Sequence, residues 1–230
     1  MTPTPKANSP KSSWKRKASV GKNGKGAKAP VHANRSKPGS IRIISGQHRG
    51  RKLPVLLAEG LRPTTDRVKE TLFNWLMQDI AGAKVLDMFA GAGSLGFEAL
   101  SRLASTVVMI ENSPASATQL QQNILTLKAQ EQAKLIQSDA FSALKTLNET
   151  FDIVFIDPPF HRGMARKAID MLISNELLAQ DALVYIESEV DVEALNDLTC
   201  LGLTKLKEQS TQQVNYRLYR FDAEAGLPVP

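Results

Sequence analysis

From residue 84 onward, short apolar runs rich in β-branched residues alternate with longer stretches of helical periodicity. The runs at 84–88, 106–110, 133–137, 151–156 and 182–186 predict buried strands. The stretches at 94–101, 113–127, 140–147 and 165–174 predict helices between them. Repeated strand–helix units close their polar backbone only as a parallel sheet covered on both faces. Two further strand-like runs, 203–210 and 214–221, have no helix between them and predict an antiparallel finish. The expected fold is therefore an α/β, Rossmann-like layered domain with a seven-stranded, mostly parallel sheet, an antiparallel C-terminal strand and helices on both faces.

The ends of those strands carry the chemistry. Asp87, Glu111, Asp139 and Asp157 end four successive strands, and such ends form the ligand edge of an open α/β sheet. Gly91-Ala92-Gly93-Ser94-Leu95-Gly96 is a literal G-x-G-x-x-G between a strand and a helix, and Glu111 ends the next strand. Together they make a dinucleotide fingerprint. Asp87 argues against a dinucleotide, because its carboxylate would repel a pyrophosphate. A ligand with an ammonium and a sulfonium and no phosphate suits that carboxylate, and S-adenosylmethionine is one.

The run Phe151-Asp152-Ile153-Val154-Phe155-Ile156 stops on Asp157-Pro158-Pro159-Phe160. Proline lacks an N–H and has a fixed φ, so the chain must leave the sheet in a stiff turn. That turn holds a carboxylate, proline carbonyls and an aromatic face together, a set able to grip a flat base by its exocyclic amine. An ordinary strand ending in a proline turn has the same appearance.

Two segments precede the layered domain. Residues 1–40 hold ten of the 29 basic residues and none of the 23 acidic ones, so the rest of the chain is net acidic. This leader is rich in Pro, Gly, Ser, Ala and Asn and is expected to be disordered. It is either a mobile arm drawn to nucleic acid or a solubilising leader. Ile41-Arg42-Ile43-Ile44-Ser45-Gly46 and Arg51-Lys52-Leu53-Pro54-Val55 then predict a small N-terminal β-hairpin within an extension at 41–60, with the main domain at 61–230. The hairpin would cluster Arg42, His48, Arg49, Arg51 and Lys52, as a phosphate clamp for RNA or as a merely solvated turn. Next, Arg62-Pro63-Thr64-Thr65-Asp66 leads into a helix whose Val68, Leu72 and Leu76 share one face.

The single cysteine, Cys200, suits a reducing cytoplasm. No apolar stretch approaches the length of a membrane span, and no apolar core follows the basic N-terminus as in a secretory signal. Three histidines and one cysteine form no metal-ligand cluster, so no metal is expected.

Residues 85–96, Glu111, Ser138-Asp139-Ala140-Phe141 and Asp157-Pro158-Pro159-Phe160 resemble the motifs of class I S-adenosylmethionine-dependent methyltransferases. The wider set, with residues 42–52, 62–76 and Tyr216-Arg217-Leu218-Tyr219, resembles bacterial small-subunit ribosomal RNA guanine-N2 methyltransferases over about residues 40–222. The resemblance implies that Asp87 and the backbone at Phe89, Ala90, Gly91 and Gly93 hold the methionine part of the cofactor. Glu111, with Asn112 beside it, would take the ribose hydroxyls. Asp139, with Ala140 and Phe141, would take the adenine. Arg62 and Thr64 would close over the methionine end. Asp157 and the carbonyl of Pro158 would accept from the guanine amine, with Pro159 stiffening the turn and Phe160 stacking on the base. The implied partner is 16S ribosomal RNA in a partly or fully assembled small subunit, and the expected state is a monomer. Methylation of adenine N6 or of protein glutamine is an alternative, since the first position of the Asp-Pro-Pro-Phe motif does not separate them. An NAD-dependent oxidoreductase is a further one.

Overall fold

The computed structural model describes residues 38–56, 66–160, 162–190, 192, 195 and 197–225. A two-stranded hairpin, β1 (Pro38–Arg42) and β2 (Lys52–Leu56), comes first, followed by α1 (Asp66–Trp75). The sheet units are β3 (Lys84–Asp87), α2 (Ser94–Ser101), β4 (Thr106–Glu111), α3 (Pro114–Leu127) and β5 (Ala133–Gln137). They continue with α4 (Ala140–Leu144), β6 (Phe151–Ile156), α5 (Met164–Ser174) and β7 (Leu178–Glu189). The antiparallel pair β8 (Leu203–Ser210) and β9 (Val214–Phe221) closes the chain.

The sheet has seven strands in the order β5-β4-β3-β6-β7-β9-β8. The first five are parallel, and β9 runs antiparallel between β7 and β8. The expected architecture is the observed one. Alternate residues of each central strand feed opposite cores, as the two-residue strand period requires. Val85, Val107, Met109, Ile153, Phe155 and Tyr185 pack under α1, α2, α3 and the hairpin. Leu86, Val108, Ile110, Val154, Ile156 and Ile186 pack against α4 and α5.

The hairpin is part of the same compact unit as the sheet, which spans Ser36–Pro230. Its strands differ from expectation: β1 begins at Pro38, with Pro38 opposite Leu56 and Gly39 opposite Val55. Pro38 is tolerated because it is the first residue of a strand in a two-stranded ribbon. The hairpin covers α2, a helix buried along its whole length. It does so through Glu98, whose side chain is fully buried and accepts from Ile44 N at 2.8 Å, Ser45 N at 3.0 Å and Arg102 Nε at 2.9 Å. Gly46 then passes so close to α2 that a Cβ would lie 1.8 Å from the carbonyl oxygen of Ser101, with φ at +79°. Only glycine satisfies both demands. Asn123 Nδ2 of α3 donates to Pro54 O at 2.9 Å and pins β2 from the other side. Among the described residues no helix is long and apolar enough to cross a membrane.

Candidate active site

The sheet order turns the strand-end acids into a continuous row. Asp139 follows β5, Glu111 ends β4, Asp87 ends β3 and Asp157 follows β6, on four strands that are neighbours in that order. Asp87, Glu111 and Asp157 each stand two residues beyond an apolar residue of the α1–α3 core, namely Val85, Met109 and Phe155. Two-residue periodicity therefore aims all three to the same face.

Asp87 is 3% exposed, and its Oδ2 accepts from Gly96 N at 2.9 Å. A Cβ at Gly96 would meet Met109 Sδ at 2.8 Å and Asp87 Oδ2 at 3.2 Å, so the missing side chain is what lets α2 approach. Burial pushes the Asp87 carboxyl up to about 7; the Gly96 N–H opposes the shift, and the charges of Asp157 and Glu111 add to it. Glu111 is half-buried and also raised by burial, against the pull of the backbone N–H groups it accepts from. Its Oε2 takes Gly91 N at 2.8 Å and its Oε1 takes Ser113 N at 2.7 Å. Each oxygen has a second lone pair for a ligand hydroxyl.

Three backbone N–H groups of the glycine turn have partners within the protein. The N–H of Gly91 goes to Glu111, that of Gly93 to Ala90 O at 2.6 Å, and that of Ala90 to Ile110 O at 2.9 Å. The N–H of Gly93 closes the turn on itself, and those of Ala90 and Gly91 tie it to β4 beside Asp87. Phe89 is half-buried and meets Phe141 edge-on at 6.2 Å, with Lys167 Nζ 4.1 Å from the Phe141 ring centre. Asp139 is exposed, and its Oδ1 caps α4 by accepting from Ser142 N at 3.0 Å, a bond that does not use its other oxygen. Ala140 is the buried first residue of α4, and Asn112 is exposed beside Glu111. Arg62 and Thr64 lie outside the described residues.

Past Asp157 the row opens into a pocket of about 670 Å³. Asp157 and Phe160 line it, with Leu72 and Trp75 of α1 on one wall and residues of the β8–β9 turn on the other. Pro158 is buried, Pro159 is exposed and Phe160 is 37% exposed, so the stiff turn holds its aromatic at the rim. The wall formed by α1 is tied to the hairpin. Lys69 is buried, donates to Arg42 O at 2.6 Å, and pairs with Asp66 at 3.4 Å.

Glu187 went unnoticed in the sequence. It lies on β7, 6% exposed, and Tyr185 OH donates to its Oε1 at 2.9 Å. Burial first, and then the charge of Asp157, raise its carboxyl well above the usual carboxylate range; the Tyr185 hydrogen bond opposes them. The signal was available: Glu187 follows an apolar strand as the other four acids do, and β7 is the next strand in the sheet order.

The basic candidates do gather on the hairpin. Arg42, Arg49, Arg51 and Lys52 are exposed, and Arg51 reaches Thr126 O of α3 at 3.3 Å. His48 is half-buried, and burial together with the charge of Arg51 lowers its pKa, so near neutral pH it is a neutral hydrogen-bonding group and not a fifth cation. Among the described residues no cluster of His, Cys, Asp and Glu could hold a metal ion.

A family described as conserved hypothetical protein 95 matches residues 41–220. A ribosomal RNA small subunit methyltransferase D of Haemophilus influenzae is 51% identical over 185 residues, covering 79% of this chain and 94% of that protein. Its counterpart in Escherichia coli K12 is 49% identical over 193 residues, covering 83% and 95%. A solved structure of a putative methyltransferase from Escherichia coli matches with a TM-score of 0.72 at 49% identity, covering 80% of this chain and 99% of that one. The chain belongs to the ribosomal RNA small subunit methyltransferase D family.

Proposed function

We propose that the protein transfers a methyl group from S-adenosylmethionine to the exocyclic N2 amine of a guanine in small-subunit (16S) ribosomal RNA. The observation that carries this reading is the position of Asp157. It stands between a row of carboxylates suited to a cationic, phosphate-free cofactor and a pocket of about 670 Å³ with an aromatic rim.

The residues present fit the cofactor. Asp87 is a buried acceptor for an ammonium, and Glu111 offers two oxygens on one carboxylate for vicinal ribose hydroxyls. The second oxygen of Asp139 would accept from an adenine amine, beside the apolar wall of Phe89 and Phe141. Four acids in a row would oppose a pyrophosphate, which disfavours a dinucleotide. When bound, the cofactor supplies an electrophilic methyl carbon next to a sulfonium.

The chain's own groups then prepare the nucleophile. The lone pair on guanine N2 is delocalised into the ring and is a poor nucleophile as it stands. Asp157 and the Pro158 carbonyl accept the two N–H bonds, which holds the amine in one orientation and turns the lone pair toward the cofactor side. Phe160 stacks on the base and fixes its plane. Positioning of this kind removes much of the entropic barrier. The surrounding carboxylates favour the positive charge that develops on nitrogen. Nitrogen would gain the methyl group as the methyl–sulfur bond breaks to leave S-adenosylhomocysteine, and would then give up one N–H proton to the Asp157 carboxylate or to water, so no base has to act first.

The hairpin delivers the RNA. Arg42, Arg49, Arg51 and Lys52 would neutralise phosphates without reading sequence. Lys69 links that surface to the α1 wall of the pocket, so phosphate contact and base entry share one rigid frame. The protein acts as a monomer in the cytoplasm, on RNA already carried in the small subunit. The test is transfer of label from methyl-labelled cofactor to small subunits of a strain lacking this gene. Label in the RNA fraction is expected; label confined to ribosomal protein refutes the reading.

A further inference from the structure

Glu187 sits on the floor of the acceptor pocket, with no part assigned to it so far. Ile156 and Ile186 are register partners on the parallel strands β6 and β7, so Asp157 and Glu187 are the next residues on each strand. Tyr216 of β9 stands opposite Glu187 on its other side. Neighbouring strands are about 4.8 Å apart, which sets the two carboxyls side by side, near enough for both to reach one base edge. Both line the same pocket as Phe160. The Tyr185 hydroxyl donates to Oε1 at 2.9 Å, which fixes the direction of the carboxyl group.

We infer that Glu187 is a specificity-determining residue that accepts the N1–H of the acceptor guanine while Asp157 holds its N2 amine. This rests on the proposed transfer to guanine N2. N1–H and the N2 amine are adjacent donors on one edge of guanine, and two adjacent carboxyls are their complement. A carboxyl accepts N1–H whether or not it carries a proton. As a neutral acid, which its burial favours, it also offers an O–H to guanine O6. A purine with the same amine but no N1–H and no O6 presents one lone pair, so a neutral Glu187 makes one hydrogen bond to it where guanine gives two, and an ionised Glu187 makes none. It is rejected because a buried polar group is left unpaired.

The experiment compares methyl transfer to small subunits whose target guanine is either intact or replaced by 2-aminopurine, which keeps the N2 amine and lacks N1–H and O6. The unaltered enzyme is expected to favour guanine by about tenfold to a hundredfold in kcat/KM, the scale of one hydrogen bond to a charged or acidic group. Glu187→Leu is expected to lower the guanine value by that factor and bring the ratio of the two substrates toward one. Tyr185→Phe, which frees the carboxyl to rotate, is expected to shrink the ratio in part. S-adenosylhomocysteine binding, measured on each variant, checks that it is folded. A full guanine preference in Glu187→Leu overturns the inference, as does an equal loss on both substrates. If Glu187→Leu does not bind S-adenosylhomocysteine, Tyr185→Phe decides: an unchanged ratio there overturns it too. If the unaltered enzyme leaves guanine N2 unmethylated, the proposed function itself falls and takes this inference with it.

Discussion

With Asp87 proposed as the acceptor for the cofactor's ammonium, its raised pKa turns cofactor binding into a titration. In the ligand-free protein its carboxyl is pushed up to about 7, first by burial and then by Asp157 and Glu111, with Gly96 N–H pulling the other way. A ligand ammonium needs the ionised form. Apparent affinity is then the intrinsic affinity multiplied by the ionised fraction. With a pKa near 7, that fraction is roughly 0.1 at pH 6 and roughly 0.8 at pH 7.5. S-adenosylhomocysteine should therefore bind about eightfold more weakly at pH 6 than at pH 7.5, or about 1.2 kcal/mol. Titration calorimetry in buffers of different ionisation enthalpy measures both the affinity and the proton released on binding. The sign for stability follows. The folded pKa lies above the unfolded one, so the ligand-free fold binds the extra proton between about pH 4 and about pH 7. Its stability falls as pH rises through that window, and the ligand restores it. Glu111 is raised by burial and acts in the same direction. Asp87→Asn should weaken binding at pH 7.5 and remove the proton release. An affinity that is flat from pH 6 to 7.5 in the unaltered protein would refute the electrostatic account of the cofactor site.

Other perturbations separate the parts. Asp157→Ala should abolish methyl transfer and leave S-adenosylhomocysteine affinity within about twofold, since the residue faces the acceptor pocket; loss of cofactor binding by calorimetry would contradict that division. Gly46→Ala should cost at least about 2 kcal/mol, or roughly 4–8 °C in Tm, from positive φ and the Ser101 carbonyl together. Gly50→Ala has a similar φ of +81° and open space around it, so it should cost only about 1 kcal/mol. Equal thermal shifts for the two glycines would show that the contact with α2 is not what Gly46 serves. Replacing Arg49 and Lys52 by alanine should lower the slope of log affinity for RNA against log salt by about 2, while a slope that does not change removes the hairpin from the interface.

The middle of the sheet was legible because β3, β4, β6 and most of β7 are buried on both faces. The run at 151–156 is apolar and β-branched enough to bound itself, and the runs at 133–137, 203–210 and 214–221 likewise match their strands to the residue. β7 extends past the expected strand at both ends, because its opening Leu178-Ala179 is followed by Gln180-Asp181 and it closes on Glu187-Ser188-Glu189, polar residues that look like loop. The shorter expected strand hid Glu187, although the acid-after-strand rule that found its four neighbours applied to it. The offset of β1 has a similar origin, since Pro38-Gly39-Ser40 reads as leader until its pairing with β2 is seen. Contacts between distant residues were not legible at all. Nothing near Glu98 in the chain reveals that its carboxylate serves Ile44 and Ser45, and nothing near Lys69 reveals Arg42. The spent N–H groups of the glycine turn belong to the same class, because Gly91 is held by an acid twenty residues ahead. Local pattern thus located the carboxylates, and the fold shows which of them stand in one row, which caps a helix and which line the pocket.

The most direct test of the account is nucleoside analysis of the RNA product. Small subunits from a strain lacking the gene are incubated with labelled S-adenosylmethionine and the protein, and their 16S RNA is digested and resolved by chromatography and mass spectrometry. The account predicts label in N2-methylguanosine at a single position, absent when Asp157→Ala replaces the enzyme. Label in N6-methyladenosine, or in any nucleoside without a modified guanine N2, would contradict it.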